Sequence, residues 1–186
     1  MEHQGEIWQE YDFNGERLGG IDPNNYNYDT IRLMGGAAVM LYRVVNGELE
    51  YLFQHRSKFL KGNPDKWDVS AGGHTNLNES VLESVIRESR EEIGVELDRD
   101  KLEFAAAYIR IDADAMVHLY FYNWGDRIDE FSFDDQEVEE VKWVKYSELE
   151  SFLPNIKKPL AEDKVFFYCL EEWSKKILEK NGNNKS

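Results

Sequence analysis

The sequence predicts an α/β domain, with helices packed on a central mixed sheet. Short runs rich in β-branched and aromatic residues alternate with two segments of helical period, which favours a sheet covered by helices. Asn46-Gly47 sits between two apolar runs, and its left-handed preference marks a tight hairpin. The length, 186 residues, matches one ordinary domain that needs no disulfide or metal staple.

In chain order, residues 6–13 carry bulky apolar side chains ahead of the Asn14-Gly15 turn and predict a hairpin arm. Residues 19–30, rich in Gly, Asn, Asp and Pro, read as a loop, so 1–30 form an arm and loop before the main domain at 31–180. Strands follow at 37–45 and 49–55, and the polar stretch 58–66, with Gly62 and Pro64, is a loop. Residues 78–93 form a helix, capped by Asn78 and stopped at Gly94. Strands are expected at 102–111, 116–124 and 138–144, and a short helix at 146–153. The last helix, 162–179, spaces Val165, Phe166, Cys169, Leu170, Trp173 and Ile177 along one apolar stripe. The polar tail 181–186 is expected to fray.

Composition narrows the function. With 22 Lys and Arg against 37 Asp and Glu, the net charge is −15, a field that repels nucleic-acid polymers. A small anionic substrate is still acceptable if a divalent metal stands between it and the protein. The single Cys169 makes neither an internal disulfide nor a cysteine-rich zinc site, so a reducing, cytoplasmic setting is expected. No signal peptide and no membrane span are expected.

The chemistry concentrates in residues 73–95, GHTNLNESVLESVIRESREEIGV. At about 100° per residue, Val81, Leu82, Val85, Ile86, Ser89 and Ile93 form a face that packs on the sheet. Glu88, Glu91 and Glu92 share the neighbouring face, because positions three and four apart lie together. Three clustered carboxylates repel one another, and a hard divalent cation offsets that repulsion through oxygen ligation. An ordinary solvated acidic face, neutralised by Arg87 and Arg90, is the competing reading for any single Glu-rich helix.

The full spacing decides between them: it matches G-x5-E-x7-R-E-U-x-E-E-x-G-U, where U is bulky and apolar, in Gly73, Glu79, Arg87, Glu88, Glu91, Glu92, Gly94 and Val95. The chain therefore resembles the Nudix hydrolases. Its one departure is Ser89 at the first U, where a buried hydroxyl is expected to bond back to the helix carbonyls. The resemblance implies an α/β/α sandwich with a central mixed sheet, and a loop–helix–loop holding Mg²⁺, or Mn²⁺, against a diphosphate. Glu88, Glu91 and Glu92, with the Gly73 carbonyl, would be metal ligands, and the carboxylates would serve catalysis. Glu79 and Arg87 would orient the loop and helix as an ion pair. The implied activity is cleavage of a phosphoanhydride in a nucleoside diphosphate linked to another group, or in a similar small diphosphate. Many relatives are dimers, so a homodimer is a further expectation.

A wider likeness spans QHRSKFLKGNPDKWDVSAGGH and the opening EIWQEYDFNGERLG, which resemble isopentenyl-diphosphate isomerases and the Nudix hydrolases closest to them. In the isomerases a catalytic cysteine precedes the glycine–histidine pair, and here that position is Gly72. Hydrolysis is therefore expected over alkene isomerisation, and over a non-catalytic sensing module, since the carboxylate set is intact. Arg56 and Lys61 are expected to flank the entrance and grip substrate phosphates or an acidic leaving group. His74, a metal-ligand position in the isomerases, reads here as a loop hydrogen-bonder, Trp67 as core, and His55 and His118 as core or surface. A further carboxylate is expected from Asp112 or Asp114, or from the run Asp134, Asp135, Glu137, Glu139 and Glu140.

Overall fold

The computed structural model describes residues 5–26, 32–133 and 136–183. Strands β1 (Trp8–Tyr11) and β2 (Arg17–Ile21) make the expected N-terminal hairpin, its turn held by the Asp12 carboxylate accepting from the Asn14 and Glu16 amides. β2 takes residues that the composition assigned to a loop. Gly20 pairs with Gln9, and the Ile7 side chain lies where a Cβ would stand, so this glycine serves a close approach inside a sheet.

The long strand β3 (Leu33–Val45) and β4 (Glu48–Arg56) form the hairpin around Asn46 and Gly47, whose φ angles are 52° and 84°. Two short strands, β5 (Trp67–Asp68) and β6 (Ala71–His74), follow, each too brief to leave a periodic signal. Then come α1 (Val81–Ile93), β7 (Leu102–Arg110), β8 (Ala115–Asn123) and β9 (Val138–Lys145). The chain ends in two single turns, α2 (Leu149–Phe152) and α3 (Lys158–Ala161), and the long α4 (Lys164–Asn183).

The two helix starts differ from the sequence expectation for one reason. Asn78 adopts φ 68°, a left-handed turn, and α1 is capped instead by Ser80 in a reciprocal capping box with Glu83. At α4 the Asp163 carboxylate accepts from the Phe166 amide, so the helix begins after it. α4 also continues to Asn183, past the point where the tail was expected to start.

β3 organises the sheet. One edge pairs in parallel with β8 over Met34–Tyr42, and β8 pairs antiparallel with β7. Along its other edge β3 meets β1, β6 and β4 in turn. β4 then pairs with β5 and β9. Alternation along β3 sorts the core into two layers. Val39 and Leu41 face α1 with Leu52, Ala71, Val85, Ile93 and Tyr120. Met40 and Tyr42 face the C-terminal helices with Tyr51, Phe53, Leu119, Phe121, Phe166 and Leu170. The sheet is thus sandwiched between helices, the α/β/α arrangement expected. On α4, Phe166, Leu170 and Ile177 are buried, whereas Val165 is exposed. Ser174, fully buried, joins the stripe by bonding the Tyr51 hydroxyl. No helix among the described residues is long and apolar enough to cross a membrane.

Candidate active site

The turn from β6 into α1 is organised by Glu79 and Arg87. The Glu79 carboxylate accepts from the Asn76 amide at 3.1 Å and the Ser84 hydroxyl at 2.9 Å. Arg87 uses all five of its N–H donors. Its Nε and Nη2 reach Glu79 at 2.9 and 3.1 Å, Nη2 reaches the His74 carbonyl at 2.8 Å, and Nη1 reaches Glu88 and Glu91 at 2.8 and 3.0 Å. One guanidinium therefore stitches strand, loop and helix together, in the orienting role expected of the Glu79–Arg87 pair. Burial works against the Glu79 charge, but Arg87, Asn76 and Ser84 hold its carboxyl below the usual carboxylate value.

Downstream of that anchor, α1 presses two carboxylates against β6. Glu88 lies so close to Gly73 that an added Cβ would stand 2.5 Å from the Glu88 carboxyl carbon. Glu92 is buried and accepts from the Gly72 amide at 2.7 Å and the Gln54 side-chain amide at 3.1 Å. Burial pushes the Glu88 carboxyl up to about 7 against the pull of Arg87, and the charges of Glu91 and Glu137 add to the shift. Burial raises Glu92 well above its ordinary value, and Glu88 pushes in the same direction. Ser89, between them in sequence, is fully buried and donates to the Val85 carbonyl at 2.8 Å, the back-bonding expected of it.

This donor set fits a hard divalent ion. Burial raises both carboxylates and Glu88 raises Glu92 further, the Gly73 cradle leaves no room for a Cβ, and Gln54 Oε1 is buried with no hydrogen-bond partner among the described residues. Glu91 stands apart: its side chain is half exposed and ion-paired with Arg87. Among the described residues no three His, Cys, Asp or Glu side chains converge as a closed metal cage, and Arg87 bridges Glu88 and Glu91. Of the later acids, Glu137 adds its charge to the Glu88 shift. Asp112 pairs with Arg110, Asp114 accepts from Tyr26, Glu139 accepts from the Lys58 amide, and Glu140 faces His55. Asp134 and Asp135 lie outside the described residues.

A cavity of about 270 Å³ adjoins Gly72, Gly73 and His74. Arg56 lines it, as a phosphate-gripping role requires, and anchors its own loop by donating to the Gly62 carbonyl at 3.0 Å. Lys61 is exposed and is not among the lining residues. Lys157, Arg110 and Asp68 line the cavity, and sequence reasoning did not single them out. Lys157 comes from a connection far along the chain, and no local spacing links it to Arg56. His74 stacks on the Trp8 ring with centroids 3.7 Å apart, and Trp67 packs into the core beside Phe152, as expected. His55 and His118 take partly buried positions within β4 and β8.

Residues 34–166 match the family model of the NUDIX domain. The chain is 29% identical over 126 residues to Nudix hydrolase 3 of Arabidopsis thaliana, an alignment covering 62% of this chain and 16% of that protein. It is 30% identical over 112 residues to an uncharacterised Nudix hydrolase of Clostridium acetobutylicum, covering 56% of this chain and 53% of that one. The aligned part thus spans about half or less of these relatives' own length. The crystal structure of DR0079 from Deinococcus radiodurans superposes with a TM-score of 0.66 at 22% identity, covering 88% of this chain and 99% of that one, a likeness of fold. The chain belongs to the Nudix domain family.

Proposed function

We propose that the chain is a Mg²⁺-dependent hydrolase that cleaves a phosphoanhydride in a nucleoside diphosphate linked to another group, or in a similar small diphosphate. The observation that carries this reading is the pair of carboxylates, partly buried Glu88 and buried Glu92, pressed against Gly73 and Gly72 at the strand that borders a cation-lined cavity. Glu88, Glu92 and Glu91, with the Gly73 carbonyl, would hold the metal, and Mn²⁺ suits the same oxygen set. The bound ion would supply charge neutralisation at the diphosphate and an activated water. The chain's own groups do the rest. Arg87 and Glu79 fix the loop, and the Gly72 amide and Gln54 hold the Glu92 carboxylate in place. Arg56 offers a guanidinium to an anionic group of the substrate, and one helix carboxylate accepts the proton of the attacking water.

Within the family, the likeness of residues 54–74 supports a place beside the isomerase-like hydrolases. Isomerisation itself is disfavoured at Gly72. Its amide holds Glu92, and a Cβ there would lie 2.7 Å from the Ala37 carbonyl oxygen, so this backbone has no space for a thiol-bearing side chain. The test is a phosphate-release screen over nucleotides, nucleotide sugars, dinucleotides and prenyl diphosphates, with Mg²⁺, then Mn²⁺, then EDTA. Metal-dependent release from at least one diphosphate is expected. Conversion of isopentenyl diphosphate to its allylic isomer at an enzymatic rate would overturn the reading.

A further inference from the structure

Asp68 closes β5 with its side chain 4% exposed. A carboxylate so buried has to be paired, since an isolated charge is expensive in a low-dielectric surrounding. Two cations share it: Lys157, through a close ion pair, and Arg56, whose Nη1 is 3.5 Å away. One negative charge against two positive ones leaves an excess positive charge. Two further Arg56 N–H groups go to the Gly62 and Asn63 carbonyls, which hold the guanidinium in place and leave its charge unneutralised. Asp68 is the one partner found for the Lys157 ammonium among the described residues, and an ammonium has three donors.

Both cations line the cavity beside Gly73. Arg110 lines it too, but Asp112 and Asp163, at 2.6 and 3.4 Å, already balance that guanidinium. A positive excess facing a cavity is not what composition predicts for a chain of net charge −15. At about 270 Å³ the cavity falls just below the roughly 300–1,000 Å³ of sites for drug-sized ligands, so its occupant is compact.

The geometry points to a second anion subsite, in which Lys157 and Arg56, positioned by Asp68, receive a compact anionic group carried by the substrate beyond the diphosphate that is cut. This rests on the hydrolase reading and narrows its substrate class: the leaving half bears a phosphate or a carboxylate. Lys157 and Arg56 are the residues that select it, and the α1 carboxylates serve the bond that breaks.

Calorimetric titration of the full chain with inorganic phosphate and with acetate, in EDTA, tests the subsite without any hydrolysis. Binding of one of these anions is expected, and the preferred one identifies the leaving group as phosphorylated or carboxylated. Lys157→Met should weaken that binding at least tenfold, and Lys157→Arg should restore it to within threefold. Lys158→Met, which removes an exposed neighbouring charge, should match wild type. Asp68→Asn keeps an acceptor for the Val69 amide while freeing both cations, so it should tighten binding at least threefold. On a hydrolysed substrate with an anionic leaving group, Lys157→Met should raise KM about tenfold with kcat within twofold. Wild-type protein that binds neither anion, or equal losses in Lys157→Met and Lys158→Met, overturns the proposal. If Lys157→Met does not fold, Asp68→Asn decides: unchanged or weaker binding overturns it. Anion binding without hydrolysis would sink only the hydrolase reading, and hydrolysis without anion binding only the subsite.

Discussion

Gly73 is small because Glu88 needs its space. Gly73→Ala puts a methyl group against the Glu88 carboxyl, so either strand or helix has to shift. Hydrolysis by that variant should fall at least a hundredfold while the circular dichroism spectrum stays native, and near-wild-type turnover would show that Glu88 does not need this contact. Glu88→Gln and Glu92→Gln keep side-chain volume and helix propensity. Each should abolish hydrolysis at limiting Mg²⁺, whereas Glu83→Gln, on the exposed capping turn, should leave it nearly intact. These substitutions also carry a signature in pH. Burial raises the Glu88 carboxyl from 4.5 to about 7 in the metal-free fold. Between those values the folded protein binds more protons than the unfolded chain, so stability falls as pH rises through the window and is fully present below it. Thermal melts in EDTA should show the midpoint dropping from pH 5 to pH 8, and Glu88→Gln should flatten that slope. A midpoint that climbs over this range would contradict a Glu88 carboxyl raised by burial.

At the scale of the element, α1 depends on its cap and on its packed face. Ser80 accepts from the Glu83 amide while the Glu83 side chain returns to the Ser80 amide. Ser80→Ala should therefore cost about 1 kcal/mol in denaturant unfolding, with m unchanged. Ser89 occupies a position that the family usually fills with an aliphatic residue, which by itself suggests that leucine is tolerated. The structure gives the opposite sign. Ser89 is fully buried, and Val85 and Ile93, one turn to either side, are buried in the layer that packs on the sheet. Ser89→Leu should overpack the interface by about 1–3 kcal/mol, and a variant more stable than wild type would mean a void beside α1. The periodicity of 78–93 revealed this helix and its buried face, but not its first residue. Asn78 and Ser80 are both good caps by composition, and only the left-handed turn at Asn78 hands the role to Ser80.

For the molecule as a whole, a ligand that binds only the folded state stabilises it in proportion to the logarithm of its concentration over Kd. Mg²⁺ at a hundredfold excess over Kd contributes about 2.7 kcal/mol. In a domain of this size that is a Tm rise of roughly 5–11 °C. The rise should vanish in Glu88→Gln and Glu92→Gln and persist in Lys157→Met, which separates the metal face from the cation-lined cavity. The sequence by itself determined the α/β class, the β3–β4 hairpin, the α1 carboxylate face and the Glu79–Arg87 anchor. Each is written in residues close together along the chain, where turn preference and helical period act directly. Tertiary structure alone decided that Gly72 and Gly73 receive the carboxylates, that the Glu137 charge bears on Glu88, and that Lys157 joins Arg56 around Asp68 while Lys61 stays exposed. The sheet makes those meetings by pairing β6 with β3 and β5 with β4, and strands of two and four residues leave no periodicity from which such pairings can be read.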